Sequence, residues 1–333
     1  MAETRLTNAQ IDTEVFSTYT VEPSIYRSRF YKSGVLQVNP QISALLASGG
    51  ESFSLPFWKD IAGTSGDAPE EGTDQDVNNL TSGKQTFRKQ VRTKAWGSND
   101  LVSVFAGDDA IEKAADMVAG YWAQAFDIIA AKSLTGVIAE NVHADSGDLV
   151  NDISGGTGDA AYISHAAIID TQGKLGENGV IGGADGAGFG ALVMHPAVYT
   201  YMRKQNLIDV FPVSDQAVPL SVYMGIPVIV TRNAYVNSGV YDTYICKAGL
   251  LQMGMSTSGY LPTEISRNPF DGFGVDSIIT RRTFAIHPVG FTHLETGVAA
   301  ITPSDAELAA KECWNRVYNA ENCGIVVVRH KIG

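Results

Sequence analysis

Hydrophobic positions along this chain change their period several times, and each change marks an element. From Asp108 to Glu140 they recur at helical spacing, with Ile111, Ala115, Val118, Trp122, Ala125, Phe126 and Ile129 on one stripe. Asp108 and Asp109 supply an N-cap and a negative charge that suits the positive end of a helix. About 32 residues of helix would run roughly 48 Å at 1.5 Å per residue. A helix that long with a single apolar stripe suits a spine under a sheet, and Gly120 and Gly136 are the points where it would bend or end.

Upstream the period is two. Ser52 to Trp58 (SFSLPFW) alternates and predicts a strand, as does Lys84 to Trp96 (KQTFRKQVRTKAW). A polar, turn-rich stretch joins them, so the pair reads as a long two-stranded excursion with a poor core of its own. A lone hairpin is marginal in water, and this one needs a partner surface. Downstream, a helix is expected from Ser164 to Leu175, and the glycine-rich run GENGVIGGADGAGFG is a surface loop. Ala191 to Met194 reads as a buried strand, and His195 to Asn206 as a helix opening on a proline. Further strands are expected over Ile226 to Thr231, Thr243 to Lys247, Leu250 to Met253, Thr263 to Arg267 and Ser277 to His287. An amphipathic helix from Ser304 to Asn315 begins with a capping box of Ser304 and Glu307, and a last strand covers Gly324 to His330. Strands and helices in this order predict an α+β fold, not the regular alternation of a parallel α/β sheet.

Composition narrows the function. The chain has 333 residues, 44% apolar and 18% charged, enough for a sizeable core. Its formal net charge of −12 excludes nucleic-acid binding through bulk charge. Charge is segregated in the excursion: Glu51 to Leu80 holds seven acids and one lysine, and Thr81 to Ala95 holds five bases and no acid. Either the two strands neutralise each other, or their polarity is directed at neighbouring subunits. Ser17 to Gln37 carries Tyr19, Tyr26, Phe30 and Tyr31 among Arg27, Arg29 and Lys32. It reads as a segment lying on its own domain or as an arm on a neighbour. The three cysteines, Cys246, Cys313 and Cys323, form no C-x-x-C pair, which points to a reducing compartment and to neither disulfides nor zinc. The first residues show no apolar signal core and no segment reaches about 18 uninterrupted apolar residues. A cytosolic protein without membrane contact is expected.

Catalytic motifs are absent from the sequence: no G-x-x-x-x-G-K-[ST], no H-E-x-x-H and no G-x-S-x-G. Gly186, Gly188 and Ala191 fit the loosest dinucleotide pattern, but they precede a strand where that fingerprint must follow one. The six histidines, His143, His165, His195, His287, His293 and His330, are scattered without metal-ligand spacing. No catalytic, cofactor-binding or metal-binding residue is nominated, and the expectation is a protein that is not an enzyme.

A set of ordered blocks carries a resemblance over residues 20 to 331. They are Asp108 to Ala110 leading into Val118 to Asn141, Asp170 to Leu175, LVMHPAVYTYMRKQNLI (Leu192 to Ile208), MGIPVIVTRN (Met224 to Asn233), the tyrosine-rich strand before Cys246, RRTFAIHPVGF (Arg281 to Phe291), and Ser304 to His330. In this order the chain resembles the major capsid proteins of tailed bacteriophages, whose shell fold is shared with herpesvirus capsids and encapsulins. The resemblance implies an N-terminal arm (1–50), an extended β-hairpin loop (51–100), a peripheral domain with the spine helix (101–160), an axial α/β domain (161–262), return strands of the peripheral domain (263–303) and a C-terminal helix and strand (304–333). It implies self-assembly into hexameric and pentameric capsomers of an icosahedral head around double-stranded DNA. Scaffolding protein, portal and decoration protein are implied as partners, and DNA only through non-specific contact. The location implied is the virion, after assembly in the host cytoplasm. An encapsulin-type cargo compartment is the alternative, with an enzyme of unrecognised site more distant.

Candidate contacts between subunits are Phe53, Phe57, Trp58, Phe87, Arg88, Lys89, Arg92 and Trp96, either as anchors on a neighbour or packed within their own domain. On the first reading, reversing Arg88, Lys89 and Arg92 to Glu would impair assembly and spare the monomer. No residues for covalent cross-linking are evident; Lys59 and Lys84 read as solvated charge.

Overall fold

A computed structural model of the chain describes residues 28–59, 61, 79–100, 110–179, 189–211 and 220–333. The first 27 residues, the apex of the excursion, Asp108 and Asp109 with their expected cap, and most of the glycine-rich run lie outside the described residues.

The chain enters through two short helices, α1 (Arg29–Lys32) and α2 (Pro40–Leu46), with strand β1 (Leu36–Val38) between them. Ser28 caps α1 by accepting the Tyr31 N–H, and Asn39 caps α2 by accepting that of Gln41 ahead of Pro40. Phe30, Val35, Leu36, Ile42 and Leu46 are all buried, so the described part of the expected arm lies on its own domain.

Strand β2 (Ser52–Trp58) has the expected bounds and pairs antiparallel with β3 (Ser82–Arg88). The second expected strand is in fact two. At Lys89 the chain leaves the hairpin: its N–H donates to Glu51 O at 2.8 Å, closing the root, and its Nζ donates to Ser48 O at 2.7 Å. Strand β4 (Gln90–Asn99) then joins a different sheet. Alternation of period two continues across the break because both sheets demand it.

Helix α3 (Ala110–Ala144) runs 35 residues, or about 52 Å at 1.5 Å per residue, through both glycines and past the expected end. It stops where Ser146 and Gly147 take positive φ of 59° and 69° and the Gly147 N–H returns to Asn141 O. Its second half is buried on nearly every side, not along one stripe, because sheet packs against one flank and the C-terminal segment against the other.

Next come β5 (Val150–Asp152), α4 (His165–Gln172), β6 (Phe189–Met194), α5 (Pro196–Lys204), β7 (Asp209–Phe211), β8 (Leu220–Tyr223), β9 (Ile226–Val230), β10 (Val236–Asn237) and β11 (Val240–Lys247). Helix α5 starts where His195 Nδ1 accepts the Ala197 N–H, one residue before Pro196 would continue the strand. The chain finishes with β12 (Leu251–Ser256), β13 (Thr263–Asn268), β14 (Val275–Pro288), β15 (Phe291–His293), α6 (Asp305–Leu308), β16 (Trp314–Arg316) and β17 (Ile325–His330). The expected helix from Ser304 to Asn315 is therefore a single turn. Its capping box is present, but Trp314 turns inward, donates to Leu308 O at 2.8 Å, and opens a strand against β15.

Two sheets carry the fold. One is mixed, in the order β5–β17–β11–β6–β9–β8–β7, with β10 beside β11. The other is built on β14: β4 runs along one edge from Val275 to Phe284, while β13 and β12 share the other edge end to end, and β1 lies beside β12. Helix α3 joins the sheets. Trp122 Nε1 donates to Thr280 Oγ1 of β14 at 3.1 Å, and Phe126 meets Phe284 edge-on at 5.0 Å. Further along, Thr135 Oγ1 lies 3.1 Å from the Tyr244 hydroxyl of β11. One continuous core follows from this arrangement, with a small satellite of Ile42, Leu46, Phe87 and Ala285 under the hairpin.

Candidate assembly surfaces

Strand alternation decides which side of the hairpin is free. Phe53, Leu55 and Phe57 fall on one face of β2. Phe53 stacks on Phe87 at 5.2 Å, and Phe57 meets Tyr318 edge-on at 4.8 Å. Trp58 falls on the other face and is 72% exposed, with Ile61 and Leu80 equally open beside the last strand pair, Trp58 to Ser82. The root of the hairpin is thus packed at home, while Trp58, Ile61 and Leu80 at the end of its described strand pair are exposed.

The basic residues are engaged within the chain. Buried Arg88 lies 2.8 Å from Glu51 and donates to Ile301 O, and Arg92 lies 3.0 Å from Asp305. Their partners come from beyond the hairpin as well as from it, so the two-strand neutralisation expected from charge segregation is only part of the pattern. Reversing Arg88, Lys89 and Arg92 would break these internal bonds, so that variant would not spare the monomer. Trp96 packs edge-on against Tyr121 of α3 at 5.1 Å. The structure brings Phe53, Phe87 and Arg88 together at the hairpin root and leaves Lys89, Arg92 and Trp96 spread along the start of the next sheet.

A second exposed feature was not nominated from the sequence. The turn between β13 and β14 carries Phe270, 94% exposed, and Phe273, 65% exposed. The turn is held: Arg267 reaches Asp100 at 2.6 Å and Asp276 at 2.9 Å, and the Phe270 N–H donates to Asn268 Oδ1. The sequence NPFDGFG announces a turn, but nothing local says that its phenylalanines point outward.

Titratable groups show no catalytic arrangement among the described residues. One strongly perturbed acid is Glu140, where α3 meets β16. Its Oε1 accepts the Arg316 N–H at 3.4 Å, and its buried Oε2 has no partner. Arg316 is already bound by Asp145 at 3.2 Å and Asp148 at 2.7 Å. Burial, and then the charge of Asp145, push the Glu140 carboxyl up to about 7. The folded chain therefore holds this proton more tightly than the unfolded one, and the stability it contributes is lost as pH rises from about 4.5 through 7. Glu140→Gln is expected to raise the melting temperature more at pH 8 than at pH 5. Equal effects at the two pH values would remove the assignment. The three cysteines are buried and free, and burial raises each thiol. None is placed to act as a nucleophile. No group of three metal-ligating side chains occurs among the described residues.

This arrangement, a long helix joining two sheets, superposes on solved phage capsids. The capsid of cyanophage Pam1 superposes with a TM-score of 0.53 over 92% of this chain and 93% of its own, at 13% identity. The capsid of Ralstonia phage GP4 superposes with a TM-score of 0.54 over 91% and 89%, at 11% identity. At such identities the likeness establishes the class, a phage capsid shell fold. No family model matches the chain. The major capsid protein of Bacillus phage SPP1, however, is 30% identical over 339 residues, spanning 100% of this chain and 99% of that protein. The chain belongs to the phage major capsid protein family. It is a structural component of a phage virion, a shell built from many copies of itself.

Proposed function

We propose that the chain forms hexameric and pentameric capsomers that close into an icosahedral head around double-stranded DNA. On this reading it assembles in the host cytoplasm with a scaffolding protein, a portal and a decoration protein. The observation that carries it is the distribution of apolar surface: Trp58, Ile61 and Leu80 at the end of the hairpin's described strand pair, and Phe270 and Phe273 on a braced turn, are all open to solvent. In a closed shell each would be covered by a neighbouring copy. Phe53, Phe57, Phe87, Arg88 and Lys89 fasten the hairpin from which Trp58 projects, while Arg92 and Trp96 hold β4 to α6 and α3. Each contact is modest, and several per subunit sum to a stable shell. With a net charge of −12, the chain leaves most of the DNA charge to cations, and direct phosphate contacts are few and sequence-blind. Among the described residues no helix is long and apolar enough to cross a membrane.

Purified full-length chain, co-expressed with a scaffolding protein and imaged by electron microscopy, is expected to give closed particles with five-fold vertices. A chain that stays monomeric at high concentration with the hairpin end ordered and covered by its own domain would overturn this reading.

A further inference from the structure

The hairpin is fastened to the body by an unusual set of rings. Phe87 of β3 lies between Phe53 of β2 and the imidazole of His287 in β14, with ring centroids at 5.2 Å and 4.1 Å. His287 is buried, and its Nε2 lies 2.8 Å from Phe291 O. A carbonyl only accepts, so Nε2 carries a hydrogen, and burial disfavours a second one on Nδ1. Behind it stands Trp314, 5.7 Å away, and against Trp314 at 5.1 Å stands His293 of β15. His293 is also buried, and neither of its ring nitrogens has a partner.

Phe87 belongs to the satellite core with Ile42, Leu46 and Ala285, and Phe53 packs against it, whereas Trp314 belongs to the main core. The Phe53–Phe87 side of the stack can therefore part from His287 while Trp314 and the two sheets stay packed. The charged groups around it are Arg88 from β3, bridged to Glu51 at 2.8 Å and 4.0 Å from Glu295 after β15, with Glu307 of α6 beyond. A proton on His293 would place a second cation beside Arg88. A proton on His287 would create a donor at Nδ1 inside an aromatic stack.

We propose that the hairpin root is an acid-released hinge: proton uptake by His287 and His293 opens the Phe53–Phe87–His287 stack and frees the hairpin while the main core stays closed. Burial pushes His287 down to about 3, and burial followed by the Arg88 charge pushes His293 down to about 4. Both lie below the ordinary imidazole value of 6.5. The open root binds protons that the closed root refuses, so closure is fully stable above about pH 6.5 and weakens as pH falls below it. Between pH 6.5 and 4.5 the opening constant should rise by roughly 40- to 50-fold for each histidine.

Hydrogen exchange on the full-length unassembled chain tests this, with rates corrected for the pH dependence of intrinsic exchange. At pH 4.5 residues 52–58 and 82–88 should lose at least ~hundredfold protection relative to pH 7, while 189–194, 240–247 and 325–330 keep theirs. The double variant His287→Gln, His293→Phe keeps a donor for Phe291 O but cannot titrate, and should hold the hairpin closed at pH 4.5. His293→Phe alone, which loses no hydrogen bond, should retain about half the logarithmic protection and serves if the double variant does not fold. Simultaneous loss in hairpin and main sheets, or variants that open like the parent, would overturn the hinge. The experiment reads the isolated chain, so it stands or falls apart from how the hairpin docks in a shell.

Discussion

Replacing Phe270 and Phe273 together by serine is expected to cut particle yield at least ~tenfold while leaving the melting temperature of the unassembled chain unchanged. The two rings are 94% and 65% exposed, so the fold gains almost nothing from them. Surface changes of this kind usually shift stability by no more than about 0.5 kcal/mol. Isolated exposed apolar residues are common on proteins and need no explanation. Two phenylalanines on one turn differ when that turn is held rigid, as Arg267 holds this one to Asp100 and Asp276. A rigid exposed ring loses little entropy on docking, and burying each phenylalanine contributes about 1.5–3 kcal/mol. In a closed shell the loss recurs at every equivalent contact, so particle yield should fall by at least ~tenfold even if each pair interaction is weak. Size-exclusion chromatography and negative-stain microscopy read the yield, and thermal melting reads the fold. Normal particles from the double variant would place the turn outside every contact between copies.

Legibility in the sequence followed the range of the interaction responsible. Helix α3 was visible because thirty-odd residues repeat one period. Its burial on several sides was not, because Trp314 and Leu308, which cover its second half, come from a segment more than 160 positions away. Strand β2 has the bounds that its alternation predicts. The break at Lys89 was hidden because alternation says which face is buried but not which sheet a strand joins. The helix expected after Ser304 had a correct start, since a capping box is local, and a wrong end, since the indole of Trp314 is drawn inward by contacts with α3. Arg88 and Arg92 illustrate the same limit for charge. Ile301 O and Asp305 stand 213 positions from them, so a basic stretch that looked available for neighbours is held at home. The exposed hairpin end and the Phe270 turn are defined only by what fails to cover them, and no local pattern records that.

A close contact lies where α3 passes the C-terminal segment, and Gly136→Ala is expected to destabilise the chain by about 2–4 kcal/mol. A Cβ at position 136 would stand 2.5 Å from Trp314 Nε1 and closer still to Leu308 O. Those two atoms are themselves hydrogen-bonded at 2.8 Å, so neither can retreat without breaking the other's bond. Crowding a packed site costs roughly 1–3 kcal/mol, and a buried indole N–H left unpaired costs about 1–3 kcal/mol more. Against this stands the gain of about 1 kcal/mol for alanine over glycine in a helix. Gly120 supplies the internal comparison. It lies in the same helix, and a Cβ added there would meet nothing within 4 Å. Gly120→Ala should therefore stabilise by about 0.5–1 kcal/mol through the same helix preference. Denaturant melts of the two variants should move in opposite directions. If both stabilised the chain, the Leu308–Trp314 clamp would have to be loose enough to move aside, and α3 would be a spine that merely touches the C-terminal segment instead of one locked to it.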